Sequence, residues 1–190
     1  MLRKIALVTA VWFCLGTGQQ AKADKNLGFY FTIVPWGEGD TSDSPSEDLD
    51  FCYGVGMDME WELLDFLSLG GSLQYRNLNV DTMGDSSHEL HLDPTLRLFY
   101  PGESLRPYAR LRVGASLMWP SDDPVDLDFG AGWNIDVMGG IAYYLDFIGF
   151  SLELGYGHST VESYVRGGGD HPLTISYESL LLNLGLVLVL

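Results

Sequence analysis

Seven bulky apolar side chains, Phe51, Tyr53, Val55, Met57, Met59, Trp61 and Leu63, take every second place along one stretch, and Cys52, Gly54, Gly56, Asp58, Glu60 and Glu62 stand between them. Period two is the signature of a strand with two unlike faces. The pattern recurs along the chain. Leu67, Leu69, Gly71, Leu73 and Tyr75 alternate with Ser68, Gly70, Ser72, Gln74 and Arg76. Leu90 to Tyr100, Ala109 to Trp119, Trp133 to Leu145 and Phe150 to Tyr156 behave in the same way. Leu27 to Ile33 gives a first strand and Leu182 to Leu190 a last, which makes eight predicted strands and no convincing amphipathic helix.

The predicted connections alternate in length. Leu64–Phe66, Pro101–Arg106 and Asp146–Phe147 are short, whereas 37–50, 77–87, 120–129 and 161–172 are long and polar. Short turns at one end, long loops at the other and strands of about ten residues are the layout of a transmembrane barrel. Aromatic residues fall in two bands on the apolar face. Tyr75, Trp119, Trp133 and Tyr156 lie toward the long loops, and Trp61, Tyr100, Tyr143 and Phe150 toward the short turns. Such bands suit the two membrane–water interfaces. The bulky face therefore meets lipid, and the glycines and carboxylates face inward. A soluble carrier barrel would want the reverse. Lipid leaves every backbone group to be paired within the sheet, so the sheet must close, and eight strands enclose little more than side chains. The expected fold is all-β: an eight-stranded antiparallel up-and-down transmembrane β-barrel.

Composition adds location. Arg3 and Lys4 precede an apolar run, Ile5 to Gly16, and Ala21-Lys22-Ala23 is a small-x-small site. This predicts a secretory signal peptide over 1–23, cleaved after Ala23, and a single barrel domain over 24–190. Removing Arg3, Lys4 and Lys22 from 10 basic and 26 acidic residues leaves 7 basic residues in a mature chain of net charge −19. That field repels nucleic acid. The mature chain keeps one cysteine, Cys52, so an internal disulfide is excluded.

With these residues in view, the chain resembles the small eight-stranded outer-membrane barrels of Gram-negative bacteria: the OmpA transmembrane domain, OmpX and the opacity-type group. Two segments carry the resemblance besides the architecture. One is GWNIDVMGGIAYYL, Gly132 to Leu145. The other is the C-terminal strand, where Asn183, Gly185, Leu188 and Leu190 are similar to the signal read by the outer-membrane assembly machinery, with leucine in place of the usual final phenylalanine. The resemblance implies outer-membrane localisation, outer-membrane lipids and lipopolysaccharide as surroundings, the barrel assembly machinery as a partner during insertion, and a monomer.

Candidate chemistry is sparse. The inward charges form an expected lumen network: Glu60, Glu62, Arg97, Arg110, Arg112 and Glu153 in the half toward the short turns, and Asp58, Arg76, Asp93 and Asp136 above them. Buried charges need partners, so the primary reading is an ion-paired plug, and the sharper one a narrow ion path. His88, His91, His158 and His171 fall near the long-loop ends of strands, with Glu89, Asp93, Glu162 and Asp170 as acidic neighbours; exposed loop-base histidines are the plain reading, and a metal site the sharper one, though the spacings match no ligand motif. Acids crowd the first and third long loops, Glu38, Asp40, Asp43, Glu47, Asp48 and Asp50, then Asp122, Asp123, Asp126 and Asp128. Solvated loops are the plain reading, and loose divalent binding toward lipopolysaccharide the sharper one. Cys52 is read as a buried thiol with no base beside it.

The stretch Tyr156 to Ser163, YGHSTVES, is similar in part to lipid A deacylases of the PagL type. Those barrels carry a histidine and a serine one residue apart, plus an acid, on the lipid-facing wall. Here Ser159 follows His158 directly and so takes the opposite face. His158 and Thr160 share a face, and strand parity is read as turning it inward. The expectation is therefore a non-enzymatic envelope barrel working through its acidic loops, without cofactor or metal; the alternatives are a narrow channel and, behind it, a lipid A-modifying enzyme.

Overall fold

The computed structural model describes residues 25–42, 44–49, 52–80, 85–100, 102, 104–120, 129–164 and 172–190. The predicted signal peptide, His171 and the acids of the third long loop lie outside them. The strands are β1 (Lys25–Thr41), β2 (Ser44–Asp48), β3 (Cys52–Leu64), β4 (Leu67–Val80), β5 (Asp85–Phe99), β6 (Leu105–Pro120), β7 (Gly130–Leu145), β8 (Ile148–Tyr164) and β9 (Pro172–Val189). Each long strand pairs antiparallel with the next, and β9 returns to β1 from Asn26↔Val189 up to Thr41↔Ile175. Eight strands thus close a barrel with no free edge, the solution lipid demands. No helix among the described residues is long and apolar enough to cross a membrane, which says nothing of crossing by strands.

The short β2 corrects one expectation. The first long connection is not all loop: Gly37–Thr41 continues β1, and β2 pairs back onto it from Glu38↔Asp48 to Thr41↔Ser44. Other strands also climb into predicted loops, β4 to Val80 and β8 to Tyr164. At the opposite end the turns are tight. Asp65 and Phe66 join β3 to β4, and Asp146 and Phe147 join β7 to β8. Asp146 takes φ 53°, the left-handed region that a short acidic side chain tolerates better than most.

Burial follows the strand period and is inverted relative to a soluble protein. Leu92, Trp133, Val137, Phe150, Leu154 and Leu184 point outward and are half or more exposed, or nearly so. The inward set is polar through the middle and apolar above. Val34, Cys52, Leu78, Met118, Val161 and Leu181 belong to a buried apolar cluster under the long-loop end. Phe99, Tyr108 and Ala142 form a smaller cluster toward the short turns. The charged layer lies between these two closures.

Candidate functional site

Six buried carboxylates (Asp58, Glu60, Glu89, Asp93, Asp136 and Glu153) and four guanidiniums (Arg76, Arg97, Arg110 and Arg112) point into the lumen, each 4% exposed or less. Register brings them together. Arg97 and Arg110 are cross-strand partners on β5 and β6, and Arg112 and Asp136 on β6 and β7. Arg110 is the hub: Nη1 lies 3.0 Å from Asp58 Oδ2 and 2.8 Å from Glu153 Oε1, and Nη2 lies 3.2 Å from Glu60 Oε1. Arg97 Nη2 holds the same Glu60 oxygen at 2.9 Å. The Arg97 guanidinium sits over the Tyr108 ring, 4.7 Å from its centroid, a placement the ring quadrupole favours. Arg112 is held more loosely, 3.7 Å from Glu153, 3.8 Å from Asp58 and 3.9 Å from Asp136. It rests over the Tyr30 ring at 4.6 Å.

Two details differ from the sequence reading. Asp58, expected above the main cluster, shares Arg97, Arg110 and Arg112 with the lower carboxylates. Glu62 is only partly buried and pairs with Arg106 at 3.1 Å, apart from the dense network. Arg76 behaves as expected, with Nη2 donating to Asp136 Oδ2 at 2.6 Å in the upper lumen. Neutral donors satisfy further oxygens: Ser68 gives to Glu60 at 2.9 Å, Tyr108 to Glu153 at 2.7 Å and Asn183 to the other Glu153 oxygen at 2.8 Å.

A second polar group sits beside Arg76 and was not singled out from sequence. Glu89 accepts from Ser116 and from Ser159, and its Oε2 lies 2.8 Å from His91 Nε2. His91 is therefore no loop-base histidine; it is fully buried inside the barrel. The alternation of β5 already turned it inward, but its charge neighbours are set by strands distant in sequence.

The outer wall carries the larger correction. Ser159 faces the lumen, so its neighbours His158 and Thr160 face lipid, on the side shown by Tyr156 and Trp133. There His158 Nε2 lies 3.1 Å from Thr160 Oγ1, and Nδ1 lies 3.8 Å from Glu178 Oε1. His158 and Glu178 are direct cross-strand partners on β8 and β9; Thr160 pairs with Ser176, whose Oγ is 3.3 Å from Thr160 Oγ1. The Trp133 ring packs against the imidazole at 5.2 Å. A hydroxyl, an imidazole and a carboxylate thus stand in line on the lipid-facing side, near the long-loop end of β8. This is the order of groups that nucleophilic acyl transfer uses.

The remaining predicted residues have plain surroundings. His88 lies in the aromatic band, accepting or donating at 2.6 Å to the Tyr75 hydroxyl and packed 5.7 Å from Trp119. Cys52 is fully buried in the upper apolar cluster. Of the proposed assembly signal, Leu188 and Leu190 fall on the outward side, whereas Asn183 points inward between Thr32 and Glu153, at 2.7 and 2.8 Å. Gly185 stands where an added Cβ would sit 2.3 Å from Ser151 Oγ.

No protein-family model and no curated protein matches the chain. Solved structures match it by fold. Neisserial surface protein A aligns at TM-score 0.58 and 12% identity over 87% of this chain and 97% of its own. The outer membrane protein OprG from Pseudomonas aeruginosa aligns at 0.58 and 11% over 88% and 96%. The outer membrane enzyme PagL aligns at 0.50 and 15% over 81% and 97%. Closed sheet, apolar exterior and these neighbours define the fold: a small eight-stranded β-barrel of the architecture seen in outer-membrane proteins. That fold hosts enzymes and non-enzymes alike, so chemistry must be argued from the wall itself.

Proposed function

We propose that this barrel is an outer-membrane hydrolase that cleaves acyl esters of outer-leaflet lipid, lipid A being the leading substrate, at His158, Thr160 and Glu178. One observation carries the reading: His158 reaches a hydroxyl with one ring nitrogen and faces a carboxylate with the other, on the side that touches lipid. In this scheme Thr160 Oγ attacks the ester carbonyl while His158 Nε2 takes its proton. The ester C–O bond breaks, and the imidazolium returns the proton to the departing alcohol. Water, deprotonated by the same imidazole, then hydrolyses the acyl-threonine and frees the fatty acid. Glu178, 3.8 Å from Nδ1 and so beyond hydrogen-bond reach at rest, offsets the imidazolium charge through space. The site lies beside the outward-facing Trp133 and Tyr156, aromatic residues of the kind that favour the membrane interface, where acyl esters meet headgroups. The PagL resemblance of the YGHSTVES stretch supports the same chemistry, with threonine where those enzymes have serine.

The test is fatty-acid release from lipid A in mixed micelles by the purified, folded barrel. Wild type is expected to release fatty acid. His158→Gln is expected to lower the rate by roughly a thousandfold, and Thr160→Ser to retain activity. A folded wild type that releases nothing refutes the proposal. The competing reading then takes over: a non-enzymatic envelope barrel acting through its acidic loops against lipopolysaccharide. The lumen filled by ion-paired side chains supports that reading over a channel.

A further inference from the structure

Among the described residues, six buried carboxylates face four guanidiniums and the imidazole of His91, between an upper and a lower apolar cluster. Buried acids need a proton or a cationic partner, and two of them gather with that imidazole at one place. One ring nitrogen of His91 and one carboxylate oxygen each of Asp93 and Asp136 lie within 4.8 Å of one another, all three residues buried. Asp136 Oδ2 takes Arg76, and Asp93 Oδ1 takes Asn134 at 2.9 Å. Asp136 Oδ1, Asp93 Oδ2 and both ring nitrogens of His91 are left buried without a hydrogen bond, although His91 Nε2 lies 2.8 Å from Glu89 Oε2 as an ion pair. Two glycines clear the space: a Cβ on Gly114 would stand 2.3 Å from Asp93 Oδ1, and one on Gly157 would stand 2.7 Å from Asp136 Oδ1.

We propose that His91, Asp93 and Asp136 form a buried divalent-cation site inside the barrel, of the borderline type that takes zinc or manganese. One nitrogen and two oxygens suit such ions better than calcium. Ligands at about 2.1 Å around one zinc stand ~3.4 Å apart, so side-chain movements of roughly an ångström close the set. Glu89 has the place of the outer carboxylate that holds a ligating histidine in one tautomer through its other nitrogen. The ion ties β5 to β7 and neutralises the two carboxylates that hold it. The apolar cluster above it makes exchange slow, so loading accompanies closure of the sheet. The site is separate from the outer wall; neither depends on the other.

The experiment refolds the full mature chain in detergent with zinc or with manganese, removes loose ion by dialysis, and measures bound metal by mass spectrometry alongside the heat-induced mobility shift on gels. Wild type is expected to keep about one ion per chain and to unfold at a higher temperature when loaded than after refolding with a chelator. Asp93→Asn is expected to lower retention at least about tenfold, while Glu178→Gln on the outer wall leaves it unchanged. Folded wild type that retains neither metal and melts at one temperature in all preparations overturns the proposal, as does Asp93→Asn that retains as much as wild type. If Asp93→Asn fails to fold, the wild-type metal content and thermal shift decide alone.

Discussion

Replacing Arg110 by methionine keeps an unbranched apolar stem and deletes the guanidinium with its charge at the hub of the lumen. Three carboxylates lose a partner, and they do not lose equally. Glu60 keeps Arg97 and Ser68, each at 2.9 Å. Glu153 keeps Tyr108 at 2.7 Å and Asn183 at 2.8 Å. Asp58 is left with Arg97 at 3.7 Å and Arg112 at 3.8 Å, both beyond hydrogen-bond reach. Removing one side of a buried pair costs about 3–5 kcal/mol, because the other charge stays desolvated. That is the expected loss for Arg110→Met. The distances also say how to recover it. Asp58→Asn in the same chain removes the worst orphan and should restore roughly 1–3 kcal/mol, the usual coupling between contacting groups. Urea unfolding of the refolded barrel in detergent, followed by tryptophan fluorescence, gives both numbers. An Arg110→Met loss under about 1 kcal/mol, or a double variant as unstable as the two single losses added, would refute the hub.

Other expectations test orientation and packing. Leu92 is 63% exposed on the outward face of β5, so Leu92→Arg should cost about 2–4 kcal/mol in a bilayer; an unchanged unfolding midpoint would place that face in water. A Cβ at Gly70 would meet Met59 O at 2.1 Å and Glu60 Cγ at 2.8 Å. Gly70→Ala should therefore lower stability by roughly 1–3 kcal/mol, and an equally stable variant would contradict the close approach of β3 and β4. Asn183→Ala removes donors and acceptors to Thr32 and Glu153. It should cost about 1–3 kcal/mol on unfolding, and a loss of insertion in cells with no loss of stability would instead assign Asn183 to assembly.

Period two, the even strand count and the inward placement of Glu60, Arg97, Arg110, Arg112 and Glu153 were legible because lipid imposes them residue by residue. The legibility faded where the chain leaves the hydrocarbon. Gly37–Thr41 and Ser44–Asp48 are strand without an apolar face, and in the first half of β9 the apolar face, Leu173, Ile175 and Tyr177, turns inward to the buried cluster, so an outward alternation of leucine does not mark them. Glu178 and Ser176 lie in that unmarked half of β9, which hid the acid partner of His158. The parity of β8 was available: Tyr156 faces out, and counting by two from it places His158 and Thr160 outside. Reading that face as inward dismissed the pair. His91 and Glu89 needed more than parity, since Ser116 and Ser159 reach Glu89 from β6 and β8.

The chemistry on the outer wall is tested most directly by mass spectrometry of lipid A from Gram-negative cells making equal amounts of folded barrel, either wild type or Thr160→Val. Wild type is predicted to yield lipid A short of an ester-linked acyl chain, and Thr160→Val the unmodified pattern of cells lacking the barrel. Identical acylation in all three populations would contradict the assignment of His158, Thr160 and Glu178 to hydrolysis.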